Sequence, residues 1–298
     1  MLNNLETMAQ ELEKSSDYRV VRKYHRRDTY ALPDGAATQL GLILDTETTG
    51  LEVFMNDVIE LGMVLFEYAP ATGRIYRIVD TFDEFRDPGY PIPPEATALT
   101  GITDEMVHGY SIDESALESF VSRASVIIAH NAEFDRPFVE KHWKAFGTKP
   151  WGCSMRHIPW YDEGIASQKL ELIALRLGFF YDAHRALDDS LALLHTLTCT
   201  LPVSGRPSLK PLLERAMSDD VRIWAIDAPY STKDVLKARR YQWSDGSNGL
   251  PKAWHTSIAV SEFEAEMQFL NDDIYAGNAK NRVKAERIPP EKRFSSEK

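Results

Sequence analysis

Cysteine is scarce: Cys153 and Cys199 are the only two in 298 residues, far apart and in no metal-ligand spacing. The expectation is a pair of free, buried thiols in a reducing cytoplasm. Long apolar runs are missing too. No window approaches 18 uninterrupted apolar residues, so no membrane span is expected. The first residues, MLNNLETMAQELEK, lack the basic and apolar regions of a secretory signal. No internal repeat is visible. Positive charge is also short, with 34 Lys+Arg against 45 Asp+Glu and a net charge of −11. That balance is awkward for a protein that would grip nucleic acid by counterion release alone. The deficit is uneven. Residues 1–204 hold 18 basic and 31 acidic side chains, and residues 205–298 hold 16 and 14. Part of the acidic excess in the first stretch is a candidate for metal ligation rather than surface.

What is present is an ordinary globular composition, 43% hydrophobic and 27% charged. Residues 1–38 read as a short amphipathic helix, a basic stretch (YRVVRKYHRR) and a loop, together an N-terminal helical extension. Apolar runs at 42–44, 58–66 and 73–82 predict a three-stranded antiparallel meander. A Pro-rich loop follows, then a helix over 112–124, a buried strand over 126–129 and a helix over 134–146. Two more amphipathic helices are expected over 169–177 and 186–198. Strands followed by helices in this order predict a mixed α/β sheet covered by helices, spanning 39–203. The sequence LPVSGRP reads as a linker. Residues 204–276 then read as a small α+β accessory module, and 277–298 as a charged, mobile tail.

The segment LILDTETTGL places Asp45 and Glu47 at the end of an apolar run. On a strand, residues i and i+2 share a face, so the two carboxylates converge and repel unless a cation sits between them. Oxygen-only ligands select hard cations such as Mg²⁺ or Mn²⁺. A solvated pair at a strand end is the bland alternative. Asp135, in HNAEFD after the strand at 126–129, could equally be a helix N-cap. In AHRALDDSLALLHTL, His184 precedes an apolar-periodic helix, and Asp188 or Asp189 could be first-turn acids favoured by the helix dipole.

Taken in order, D-x-E-T-T-G, H-N-A-x-F-D and H-R-A-x-x-D resemble the three motifs of the DEDDh, or DnaQ-like, 3′–5′ exonucleases. That family includes the DNA polymerase III proofreading subunit, exonuclease X and RNase T. The resemblance covers about residues 40–200, and VIELGMV and ALTGITDEMV fit between the motifs. It implies an RNase H-like, mixed five-stranded sheet and two-metal phosphodiester hydrolysis from a 3′ end. Asp45, Glu47, Asp135 and Asp189 then look like the ligands of two Mg²⁺ (or Mn²⁺) ions, and His184 like the general base. The family's histidine-plus-five spacing selects Asp189 over Asp188. Thr48, Thr49, Leu51, Thr100, Gly101, His130, Asn131 and Phe134 match positions that border the terminal nucleotide, although turn or core roles would explain several of them.

The implied function is a cytoplasmic, metal-dependent exonuclease that releases nucleoside 5′-monophosphates from single-stranded or frayed DNA. An exoribonuclease of the same family is the near alternative, because recognition of a 2′-OH depends on pocket shape. A non-catalytic binding module would be expected to have lost one of the five polar residues, and all five are intact. Nucleic-acid 3′ ends are the expected partner, with DNA favoured over RNA. A homodimer or a repair or replication partner is open, since some relatives are dimers. In the C-terminal module, basic residues interleave with Tyr241, Trp243 and Trp254. That pattern suits a nucleic-acid grip, but a two-tryptophan core is the favoured reading.

Overall fold

The computed structural model describes residues 2–247 and 249–295. Two compact units emerge, residues 1–213 with 294–298, and residues 214–293.

The first unit opens with helix α1 (Leu2–Glu13) and a two-residue strand, β1 (Arg22–Lys23). Strands β2 (Gln39–Thr48), β3 (Val58–Ala69) and β4 (Arg74–Phe85) follow as an antiparallel meander. Helices α2 (Pro94–Thr100), α3 (Asp104–Val107) and α4 (Glu114–Ser122) lead into β5 (Val126–Ala129). Beyond it come α5 (Ala132–His142), β6 (Trp151–Cys153), α6 (Ser154–His157), α7 (Leu170–Arg176), β7 (Phe179–Phe180) and α8 (Ala186–Thr198). The main sheet has the order β4-β3-β2-β5-β6, with β5 and β6 parallel to β2. This is the mixed five-stranded, RNase H-like sheet flanked by helices.

Burial explains why these segments are strands. In β3, Glu60 lies in a run of apolar residues buried on both faces, as expected of a central strand. Leu42, Leu44, Leu61, Met63 and Ile127 form one core with Phe138, Phe146 and Trp151. The helix expected over 134–146 stops at His142, because Trp143 is extended and a 3₁₀ turn (Lys144–Thr148) follows. The Pro-rich stretch, expected to be loop, contains α2, which begins directly after Pro93 and closes on Gly101 in the left-handed conformation at φ 72°.

Two boundaries differ from expectation. The stretch read as a linker is a tight turn within the first unit, where Leu201 N–H donates to Arg206 O at 2.8 Å and the Glu163 carboxylate accepts from Val203 N at 2.7 Å. The chain passes to the second unit only after Leu213, within helix α9 (Leu209–Ala216). Of the thiols, Cys153 is buried but Cys199 is only partly so.

The second unit contains β8 (Asp220–Ala225), α10 (Lys233–Ala238), β9 (Gln242–Ser244), β10 (Ala253–Ala259), α11 (Phe263–Phe269) and β11 (Val283–Ile288). Its sheet order is β11-β8-β10-β9. The segment expected to be a mobile tail therefore supplies an edge strand, pairing Val283 with Ala225 and Ile288 with Asp220. Its polar sequence reflects exposure along most of its length, with only Ile288 buried. The last three residues of that segment lie outside the described residues. Trp243, expected in the core, is 51% exposed on edge strand β9, with its ring packed edge-on against Trp254.

Candidate active site

The site is built on β2. Asp45 stands opposite Gly62 of β3, and Glu47 opposite Glu60. After Glu47 the register shifts so that Thr48 pairs with Val58. Such a bulge re-aims side chains and is frequent beside active sites. Gly62 is the key to what lies over Asp45. A Cβ there would come within 2.2 Å of the backbone of Ala186 and Leu187. The absent side chain lets the first turn of α8 rest directly on β3, where Ser190 Oγ donates to Gly62 O at 3.0 Å.

Glu60 anchors the same turn. Its buried carboxylate accepts from Ala186 N at 2.9 Å and from the Arg185 guanidinium at 2.6–3.2 Å. It thereby satisfies one of the otherwise orphan amides at a helix start. This docking carries Asp189 to β2, so that one oxygen each of Asp45, Glu47 and Asp189 lie within 4.8 Å of one another. Asp188, its neighbour, is exposed.

Asp135 is not part of that trio. It lies buried in the first turn of α5, where its Oδ1 accepts from Thr46 Oγ1 at 2.9 Å. Its charge is nevertheless felt: after burial, Asp135 is the first neighbour that raises the Asp45 carboxyl, followed by Asp189 and Glu47. Burial pushes Glu47 up to about 8 and Asp135 to about 7, and raises Asp189 as well. Four acids that resist ionising together form a site which a cation would complete. The donors are all oxygen, so the residues fit a hard divalent ion.

Asp189 also organises the loop before α8. It accepts from Tyr181 Oη at 2.7 Å, His184 N at 2.8 Å and Arg185 N at 3.2 Å. The His184 side chain is exposed, and its backbone is left-handed at φ 72°. Tyr181 and Glu60 were missed as site residues by sequence reasoning. A lone acid inside the apolar run VIELGMV was the available signal for Glu60, since a buried carboxylate needs a partner. Tyr181 gave no signal.

The remaining candidates fall into two groups. Thr48, Thr49 and Leu51 lie directly beyond the carboxylates. Thr48 Oγ1 donates to Gly50 O at 2.7 Å, Thr49 Oγ1 shares hydrogen bonds with Tyr90 Oη and Asp57 N, and Leu51 is 79% exposed. The others are more deeply committed to structure. Thr100 Oγ1 donates to Ala96 O and accepts from Ile102 N, at the turn where Gly101 caps α2. His130 Nε2 bonds Gln168 O and Nδ1 bonds Ser154 Oγ, each at 2.7 Å, and burial lowers the imidazole to about 4. Asn131 caps α5 without a side-chain bond, and Phe134 packs on Phe138 at 4.9 Å.

Among the described residues no helix is long and apolar enough to cross a membrane.

The family model described as RNase T-type exonuclease matches residues 42–197, just over half of the chain. A PolC-type DNA polymerase III from Clostridium perfringens is 34% identical over 157 residues, covering 51% of this chain and 10% of that protein. Its Streptococcus mutans counterpart is 37% identical over 107 residues, covering 35% and 7% respectively. The chain thus spans a tenth or less of these relatives. Among solved structures, the nuclease domain of 3′hExo, a DEDDh family member bound to rAMP, matches with a TM-score of 0.43 and 21% identity, over 53% of this chain and 89% of that one. Exonuclease X in complex with 5′-overhanging duplex DNA matches with a TM-score of 0.40 and 22% identity, over 57% and 99%.

Proposed function

Because the chain belongs to the RNase T-type, DnaQ-like exonuclease family, we propose that it is a DEDDh-type 3′–5′ exonuclease hydrolysing DNA from single-stranded or frayed ends. The observation that carries this reading is the convergence of Asp45, Glu47 and Asp189 oxygens within 4.8 Å, next to a loop bearing His184. DNA is favoured over RNA because the curated relatives are DNA polymerases.

Asp45, Glu47 and Asp189 would hold two divalent ions together with Asp135, the fourth carboxylate beside them. Bound Mg²⁺ or Mn²⁺ would supply Lewis acidity to the phosphoryl group, an acidified water and a stabilised 3′-oxygen leaving group. The protein's own part is positioning and proton transfer. His184 Nε2 or Nδ1 takes the proton of the attacking water as the P–O3′ bond breaks, releasing a nucleoside 5′-monophosphate. Tyr181 and the two backbone amides fix Asp189, so that its remaining lone pairs are directed inward. Leu51, exposed four residues beyond Glu47, would pack against the last base, while Thr48 and Thr49 would set the depth to which a strand can enter.

The test is a 5′-labelled oligonucleotide of one sequence, made as DNA and as RNA, incubated with Mg²⁺, Mn²⁺ or EDTA. A ladder shortening from the 3′ end is expected with metal, absent in EDTA and reduced by at least about a thousandfold in Asp189→Ala. Faster loss of RNA than of DNA would reverse the substrate assignment. Full activity in EDTA would sink the metal mechanism.

A further inference from the structure

The N-terminal extension is tied to the loop that carries His184. β1 runs parallel to β7, pairing Arg22 with Phe179 and Lys23 with Phe180. Arg22 N donates to Gly178 O at 3.0 Å, and Tyr24 N to Phe180 O at 2.7 Å. Lys23 Nζ meets Asp182 Oδ2 at 2.5 Å, and the Arg19 guanidinium donates to Arg176 O. The Arg22 side chain in turn grips α1 through Glu6 at 2.8 Å and Glu13 at 2.6 Å. Residues 19–24 therefore run alongside 176–182, ending two residues short of the histidine.

That loop needs outside support. β7 has two residues, and among the described residues its sheet partner is β1. Two such short strands gain little by themselves and depend on what holds their ends. Just downstream, His184 is held in the left-handed region at φ 72°, which is unfavourable for a non-glycine residue. Backbone of this kind persists only where its surroundings over-determine it. Asp189 provides the ties on the site side, through Tyr181 Oη, His184 N and Arg185 N. The ties on the far side come from β1.

We propose that residues 19–24 are a positioning strap for His184, holding the imidazole in reach of the attacking water. The inference rests on the reading of His184 as general base. The strap touches neither substrate nor metal ligand. It acts through the histidine.

A double-mutant cycle on the 298-residue chain tests this. Arg22→Pro removes the N–H that donates to Gly178 O and the guanidinium that holds α1. Arg22→Lys keeps the backbone donor. With folding confirmed by circular dichroism well below Tm, Arg22→Pro should lower kcat by roughly 10- to 100-fold with KM within about twofold of wild type. Arg22→Lys should restore most of kcat. In a His184→Ala background, Arg22→Pro should change kcat by less than about twofold, because the group it positions is gone. The same loss in both backgrounds, or a lowered Tm with kcat intact, overturns the proposal. Should Arg22→Pro fail to fold, Lys23→Asp sets a carboxylate against Asp182, loosens the strap by charge and enters the same cycle. His184→Ala with wild-type kcat would instead overturn the general-base reading, and it does so without any N-terminal variant.

Discussion

A carboxylate surrounded by carboxylates loses hydration that its neighbours cannot replace. That is why Glu47 is pushed up to about 8 and Asp135 to about 7, with burial as the first cause of each. Histidine shows the opposite sign. His195 lies among Tyr24, Tyr30 and Phe179, with ring centroids 4.6–6.2 Å away. Burial first, and then the Arg27 charge, lower its imidazole to about 4. The folded protein thus keeps it neutral where the unfolded chain, at about 6.5, would bind a proton. Its contribution is fully present above about pH 6.5 and is lost as pH falls toward 4. Near pH 5 the loss is about 2 kcal/mol. His195→Phe keeps the aromatic packing and should flatten this acid limb, measured as urea midpoints between pH 7 and 5. An unchanged slope would rule out His195 as its source. At this scale much of the site was legible. The i, i+2 spacing of Asp45 and Glu47 survives intact because strand geometry is local. The bond between Asp135 and Thr46 joins residues 89 apart in sequence, and no local pattern announces it.

At the scale of elements, the site depends on one helix resting on one strand. α8 meets β3 where Gly62 has no side chain, and Glu60 holds the helix start through Ala186 N. Gly62→Ala would set a methyl carbon 2.2 Å from backbone rather than from a flexible side chain. The helix must move, at a cost of about 2–3 kcal/mol. Because Asp189 and Ser190 ride on that turn, exonuclease activity should fall by at least about a hundredfold, more than the stability loss would explain. Kinetics below Tm alongside a melting curve check this. A lowered Tm with normal kcat would show that α8 repacks without moving Asp189. Elements were readable where burial wrote a pattern, as in the apolar runs of β2 and β3. They were hidden where it did not. β6 has three residues, α2 sits inside a Pro-rich stretch, and β11 is exposed along most of its length.

At the scale of the whole chain, charge and connectivity divide together. Residues 214–293 hold thirteen basic and thirteen acidic side chains, so the net charge of −11 belongs to the first unit. The chain leaves that unit after Leu213 and rejoins it at Phe294, which makes the second unit an insertion tethered at both ends. Arg293 closes it. Buried at 3% exposure, it donates to both oxygens of Asp220, at 2.9 and 3.1 Å, and to Ala216 O at 3.1 Å. Removing one partner of a buried pair leaves an uncompensated charge, which typically destabilises by about 3–5 kcal/mol. Here Arg215 still pairs with Asp220, so about 2–3 kcal/mol is expected. Arg293→Met should therefore open residues 214–293 to trypsin at temperatures where the wild type resists. Every candidate site residue, from Asp45 to Asp189, lies in the first unit. Hydrolysis of a short single-stranded oligonucleotide should accordingly stay within about twofold of wild type. If that rate collapsed together with protease resistance, the second unit would be required for the chemistry itself, and its separation as an inserted accessory would have to be given up.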